Sequence, residues 1–180
     1  MKELFNKKIY QKLCNDKTGD CMKCCIATLF EKDYDEVPNF IEQNDWGKSF
    51  QETINSYGYK SYETLFNESF QRYILNIRKS CFEDIDMSRH FLINKINLLK
   101  FNGVNIKGEK IMLGTVVSPF LFDHDKTIGY MYEHQHMVLI DEKCNIVFDP
   151  NPHNKGILRY PLAPLIGYNG ITEVWELKEI

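Results

Sequence analysis

The chain has 180 residues, 43% hydrophobic and 26% charged, a globular composition that excludes the disordered and membrane-embedded extremes and gives room for one sizeable core rather than two. With 22 Lys and Arg against 25 Asp and Glu the formal charge is −3, so charge provides no footprint for a phosphate backbone or an anionic membrane surface. No nucleic-acid or membrane partner is expected.

Met1 to Tyr10 lack the apolar h-region of a secretory signal, and no run approaches the roughly 18 apolar residues of a membrane span. A soluble, cytoplasmic, single-domain protein spanning residues 1–180 is the expectation. In a reducing compartment its six cysteines (Cys14, Cys21, Cys24, Cys25, Cys81 and Cys144) are free thiols, metal ligands or a nucleophile rather than three bridges.

The first strong helical signal covers residues 20–30. Asp20 is a good N-cap residue, and Met22, Cys25, Ile26, Leu29 and Phe30 recur at helical spacing as a buried stripe. Asp33 to Phe40 read as a turn and loop, Lys48 to Tyr57 as a second helix stopped by Gly58, and Tyr59 to Phe66 as a strand. Phe70 to Ile77 and His90 to Phe101 read as helices. From Ile111 the period changes: Ile111–Val117, Ile128–Tyr132, His136–Ile140, Asn145–Phe148 and Ile171–Leu177 are short, rich in β-branched or aromatic residues and bounded by turn formers, so they read as strands. Early helices and late strands predict an α+β fold in which the first helix packs on an antiparallel sheet.

A hairpin of His136–Ile140 against Asn145–Asp149, closed by a four-residue loop at 141–144, sets Val138 opposite Val147 and His136 opposite Asp149. Cross-strand partners share a face with Cβ atoms about 5 Å apart, which suits a carboxylate that orients an imidazole. A one-residue slip would separate them. Cys21 lies in the first turn of the early helix, outside the stripe that claims Cys25, and is expected at the surface of a cleft. There the helix dipole and a nearby imidazolium favour a thiolate. Thiolate, base and orienting acid are the parts of acyl transfer through a thioester.

These residues also carry a resemblance. Tyr10-Gln11, Gly19-Asp20-Cys21, Ala27 and Val37-Pro38-Asn39-Phe40, followed by Gly114, Ser118-Pro119, His136-Met137-Val138 and Asp149-Pro150-Asn151-Pro152 with Gly156, resemble the small bacterial and phage C39-like, papain-like cysteine peptidases. The resemblance implies a papain-like fold, Cys21 as nucleophile, His136 as general base and acid, Asp149 as orienter and Gln11 as oxyanion-hole donor beside the Cys21 N–H. Such enzymes commonly place the glutamine about six residues before the cysteine, where this chain has Asn15, so Asn15 is the reserve donor; either amide can stabilise an oxyanion. Residues 66–108 match nothing in that pattern and are expected to form a helical insertion, a lid or a surface for a protein partner.

Other readings stand beside this one. His134 shares a face with His136 in an extended strand and is expected to be a solvated or substrate-facing residue. The CxxC of Cys21 and Cys24 could open a zinc site completed by Cys14, Cys81, Cys144 or His153, but no second CxxC or HxxxH pair follows, and no metal or other cofactor is expected. The expected function is a cysteine hydrolase acting on a peptide or small amide. Its rivals are an inactive papain-like binding module and a zinc-stabilised interaction protein.

Overall fold

Two helices and seven antiparallel strands make up the regular structure of the computed structural model, which describes residues 3–13, 19–65, 102–117, 135–143, 145–152, 160–161 and 171–180. In chain order the elements are α1 (Cys21–Leu29), α2 (Trp46–Ser56), β1 (Tyr59–Leu65), β2 (Val104–Ile106), β3 (Glu109–Val117), β4 (Gln135–Asp141), β5 (Asn145–Phe148), β6 (Tyr160–Pro161) and β7 (Ile171–Glu179). Short 3-10 turns at Tyr34–Glu36 and Phe40–Glu42 lie between the helices, in the stretch read as turn and loop. The predicted strand at 128–132 and the predicted helices at 70–77 and 90–101 lie outside the described residues. Of the proposed 66–108 insertion, the last part belongs to the sheet, because β2 pairs with β3.

The strands run in the order β1-β7-β3-β4-β5-β6, with β2 on the start of β3. The central positions of β3 and β4 follow from their sequences. Ile111-Met112-Leu113 and Met137-Val138-Leu139-Ile140 are continuous apolar runs, the pattern of strands buried on both faces. Ile111, Leu113, Met137, Leu139, Trp175 and Leu177 join one core with α1 and α2. The alternate residues Met112, Val138, Ile140, Ile146 and Val174 face the other way and are equally buried. The α+β architecture with α1 against β4 therefore holds.

The cap of α2 is Asp45, whose carboxylate accepts from the Lys48 N–H at 3.1 Å. Past its C-terminus Gly58 takes φ +84, a left-handed backbone that ends the helix at low cost. Phe50 packs edge-on between Phe40 and Trp175, with centroids at 5.6 and 5.3 Å.

Helix α1 departs from its predicted single stripe. Lys23, Cys24, Ala27 and Thr28 are buried as well as Cys25, Ile26 and Leu29. The reason is the amino-terminal segment, which crosses its remaining side as a strap. The Ile9 N–H donates to Thr28 Oγ1 at 2.9 Å, and Phe5 and Tyr10 pack edge-on against Phe148. A helix covered all round has no polar face to display.

Gly103 marks a close approach, since a Cβ there would stand 2.6 Å from the Ile111 carbonyl oxygen, backbone that has no way to yield. Gly103→Ala is expected to lower stability in urea denaturation by roughly 1–3 kcal/mol. Gly47→Ala, where the nearest atom would be 3.9 Å away, should instead be neutral or stabilising by up to about 1 kcal/mol.

Candidate active site

β4 carries His136 and pairs with β3 along its whole length, from Ile111↔Asp141 to Val117↔Gln135. Its other edge is covered by β5 only as far as Leu139↔Phe148. Beyond that point α1 takes over through two sulfurs. The Met137 N–H donates to Cys21 Sγ at 3.5 Å, and the Cys25 thiol donates to the Met137 carbonyl at 3.3 Å. The N–H and C=O of one strand residue point to the same edge, so Cys21 and Cys25, one helical turn apart, grip one residue of β4. This places the first turn of α1 beside His136.

The β4–β5 register differs from the counted one. Ile140 pairs with Ile146, but Leu139 pairs with Phe148, so Val147 is an extra, bulged residue. Continued without the bulge, the first pairing would set Asp149 opposite Met137, on the face away from His136. The bulge shifts it opposite Val138, which returns it to the His136 face as a diagonal neighbour. The predicted direct opposition is therefore corrected to a diagonal, and the closing loop shortens to 142–144. Asp141 closes that loop, its carboxylate accepting from the Lys143 and Asn145 N–H groups at 2.9 and 2.8 Å. The shared face survives because the counted register errs by two residues, an even number.

His136 Nε2 lies 2.8 Å from Asp149 Oδ1, with the residues 8% and 5% exposed. The same oxygen accepts the Asn151 N–H at 2.8 Å, so Asp149 is turn former and ring orienter together. With Nε2 engaged, Nδ1 is left for Cys21, the ring's second hydrogen-bond partner. Burial pulls the ring's affinity for its proton down. The Asp149 bond, the Cys21 bond and the two negative charges outweigh it and raise the pKa to about 10. At Cys21 burial raises the pKa, but the hydrogen bond and charge of His136, then the Met137 and Met22 N–H groups, leave the thiol more acidic than usual. Cys25 moves the opposite way. Burial and the neighbouring Cys21, Cys24 and Asp149 charges push it well above the ordinary value, so it stays a thiol and can donate to Met137.

The structure thus brings Cys21, His136 and Asp149 together. It corrects two expectations about the helix end. Cys21 is only 8% exposed and sits with the core, its sulfur packed against the Met137 N–H and the His136 ring of β4. Asp20 occupies the N-cap position without capping, its carboxylate being bonded to Lys12, Leu13 and Tyr34 instead. The Gln11 side chain donates to Leu13 O at 3.3 Å, so it is turned onto its own segment, while the Gln11 N–H reaches Pro150 O at 2.9 Å, next to the acid. Asn15 and His134 lie outside the described residues, as do Cys14, Cys81, Cys144 and His153. Cys25 and the Met137 backbone were missed as parts of the site. Their signal in the sequence is the i, i+4 spacing of Cys21 and Cys25.

The first helical bond of α1 runs from the Cys24 N–H to the Asp20 carbonyl, so the N–H groups of Cys21, Met22 and Lys23 precede the helical ladder and are available to a sulfur or an oxyanion. Among the described residues no group of three or more His, Cys, Asp or Glu could hold a metal ion, and no helix is long and apolar enough to cross a membrane. No protein family, curated protein or solved structure matches the chain.

Two pH limits follow. Alkylation of Cys21 should rise through an inflection below the ordinary thiol value and then hold level while the ring keeps its proton, up to about pH 10. His136→Ala removes the interactions that oppose burial and should move the inflection upward. Rates of iodoacetamide modification against pH, with the labelled site mapped by mass spectrometry, measure both.

Proposed function

We propose that the chain is a papain-like cysteine hydrolase that cleaves an amide bond, most simply in a peptide. The observation that carries this reading is the chain of contacts from Asp149 Oδ1 through the His136 ring to the Cys21 sulfur at the start of a helix. A buried carboxylate fixes the ring with Nδ1 toward sulfur, and the ring's charge keeps the sulfur as thiolate.

The thiolate attacks the substrate carbonyl carbon, and the C=O electron pair moves onto oxygen. That oxyanion is stabilised by N–H groups at the start of α1, and Gln11 adds its amide if the side chain leaves Leu13 O. As the C–N bond breaks, His136 gives its Nδ1 proton to the departing amine, leaving a thioester on Cys21. Neutral His136 then takes a proton from water as the water oxygen attacks the thioester, which releases the carboxylic acid and restores the ion pair. A reducing compartment, such as the cytoplasm, keeps the α1 thiols available.

Screening fluorogenic peptide and simple amide substrates tests the reading. Cys21→Ala and His136→Ala should abolish turnover, and Asp149→Asn should lower kcat by roughly 10²-fold or more while the fold is retained. Turnover that survives Cys21→Ala contradicts the proposal, and a folded wild type that never forms a thioester with any activated acyl donor points to an inactive binding module.

A further inference from the structure

Asp20 precedes the nucleophile, is 1% exposed, and makes none of the contacts of an N-cap side chain. A cap would accept an N–H from Met22 or Lys23, and the Met22 N–H is a donor to the Cys21 sulfur. Its carboxylate points the other way. Oδ2 accepts from the Lys12 N–H at 3.0 Å and the Tyr34 hydroxyl at 2.6 Å, and Oδ1 accepts from the Leu13 N–H at 3.3 Å. Immediately before this anchor the Gln11 N–H donates to Pro150 O, in the Pro150–Asn151 peptide whose N–H bonds the Asp149 carboxylate. The strap thus spans from the helix end that holds the nucleophile to the loop that holds the acid.

We propose that Asp20 is a positioning residue for the triad: by binding the strap it fixes the Asp149–Pro150 loop, and hence the His136 ring, relative to Cys21. This rests on the hydrolase reading. By turning away from α1, the carboxylate also leaves the Met22 N–H to the sulfur. His136 from β4 acts on the sulfur directly; Asp149 beyond β5 acts through His136, Cys25 lies one turn on in α1, and Asp20 is the sulfur's chain neighbour. Around Asp20 stand Tyr34 and the ammonium groups of Lys12 and Lys23, each 3.9 Å from the Tyr34 ring centre, with Cys24 and Asp35 near the same tyrosine.

Positioning and simple charge predict opposite signs. Asp20→Asn removes a negative charge next to Cys21, which on charge alone makes the thiol more acidic. An asparagine has one acceptor oxygen for three donors, so the strap is loosened, the ring loses its alignment and the thiol becomes less acidic.

The experiment is the pH dependence of Cys21 alkylation in the full chain, with circular dichroism and Tm recorded for each variant. Asp20→Asn should shift the inflection upward by about one pH unit, a roughly tenfold loss of rate below it. Gln11→Pro, which removes the N–H that reaches Pro150 and leaves Asp20 in place, should do the same, whereas Gln11→Ala keeps that N–H and should leave the inflection where it is. If Asp20→Asn does not fold, the two Gln11 variants decide. A downward shift in Asp20→Asn, a fall in Tm with no shift, or equal shifts in both Gln11 variants overturns the positioning role while leaving the hydrolase reading intact. An ordinary thiol inflection near 8.5 in the wild type overturns the hydrolase reading itself.

Discussion

The site depends on how β4 is finished at the edge that β5 leaves. A strand in the middle of a sheet cannot leave a buried N–H and C=O without partners, since each orphan costs about 1–3 kcal/mol. Here the Met137 pair is satisfied by the two cysteines of α1. The strand thereby acquires its edge partner, and the helix is locked to it at a fixed height. Because His136 is the next residue along β4, the same lock that completes the sheet brings the imidazole beside the sulfur. The two sulfurs play opposite parts in this lock. An acceptor is needed for the Met137 N–H and a donor for its carbonyl, and the opposite pKa displacements of Cys21 and Cys25 supply one of each.

The Val147 bulge is the second constraint. With Ile140 opposite Ile146, period-two alternation lets Asp149 face the His136 side only if one residue is taken out of the ladder. The Asx-type turn at Asp149 then holds the carboxylate with the Asn151 N–H. Burying three ionisable groups is unfavourable unless each is compensated, because desolvation opposes the thiolate, the imidazolium and the carboxylate alike. Every one of them here has more than one hydrogen-bond partner, which is why the pair can exist with only 8% exposure at both Cys21 and His136. Asp20 extends the same pattern to the strap.

Much of the frame was legible in the residues. The apolar period distinguishes α1 from β3, β4 and β7, and Gly58 ends α2 as its left-handed preference requires. The pairing of His136 with Asp149 could be reached by counting because the counted register errs by an even number and so keeps the face. The bulge itself was not legible, since Val147 is a β-branched apolar residue that fits a regular strand as well as a bulged one. Asp20 was read as a cap because Asp at that position usually is one; its diversion to Lys12, Leu13 and Tyr34 depends on a strap that no local pattern announces. The full burial of α1 was hidden for the same reason, and β2, three residues long, is too short for a period to register.

The most direct measurement of the Cys21–His136 ion pair is the nitrogen NMR spectrum of selectively labelled histidine as pH is raised. An imidazolium stabilised by the thiolate and by Asp149 keeps both His136 nitrogens protonated through neutral pH and titrates at about 10, and replacement of Cys21 by serine lowers that value. A neutral His136 ring at pH 7 that titrates near 6.5, unchanged by the serine substitution, would contradict the ion pair and the thiolate chemistry built on it.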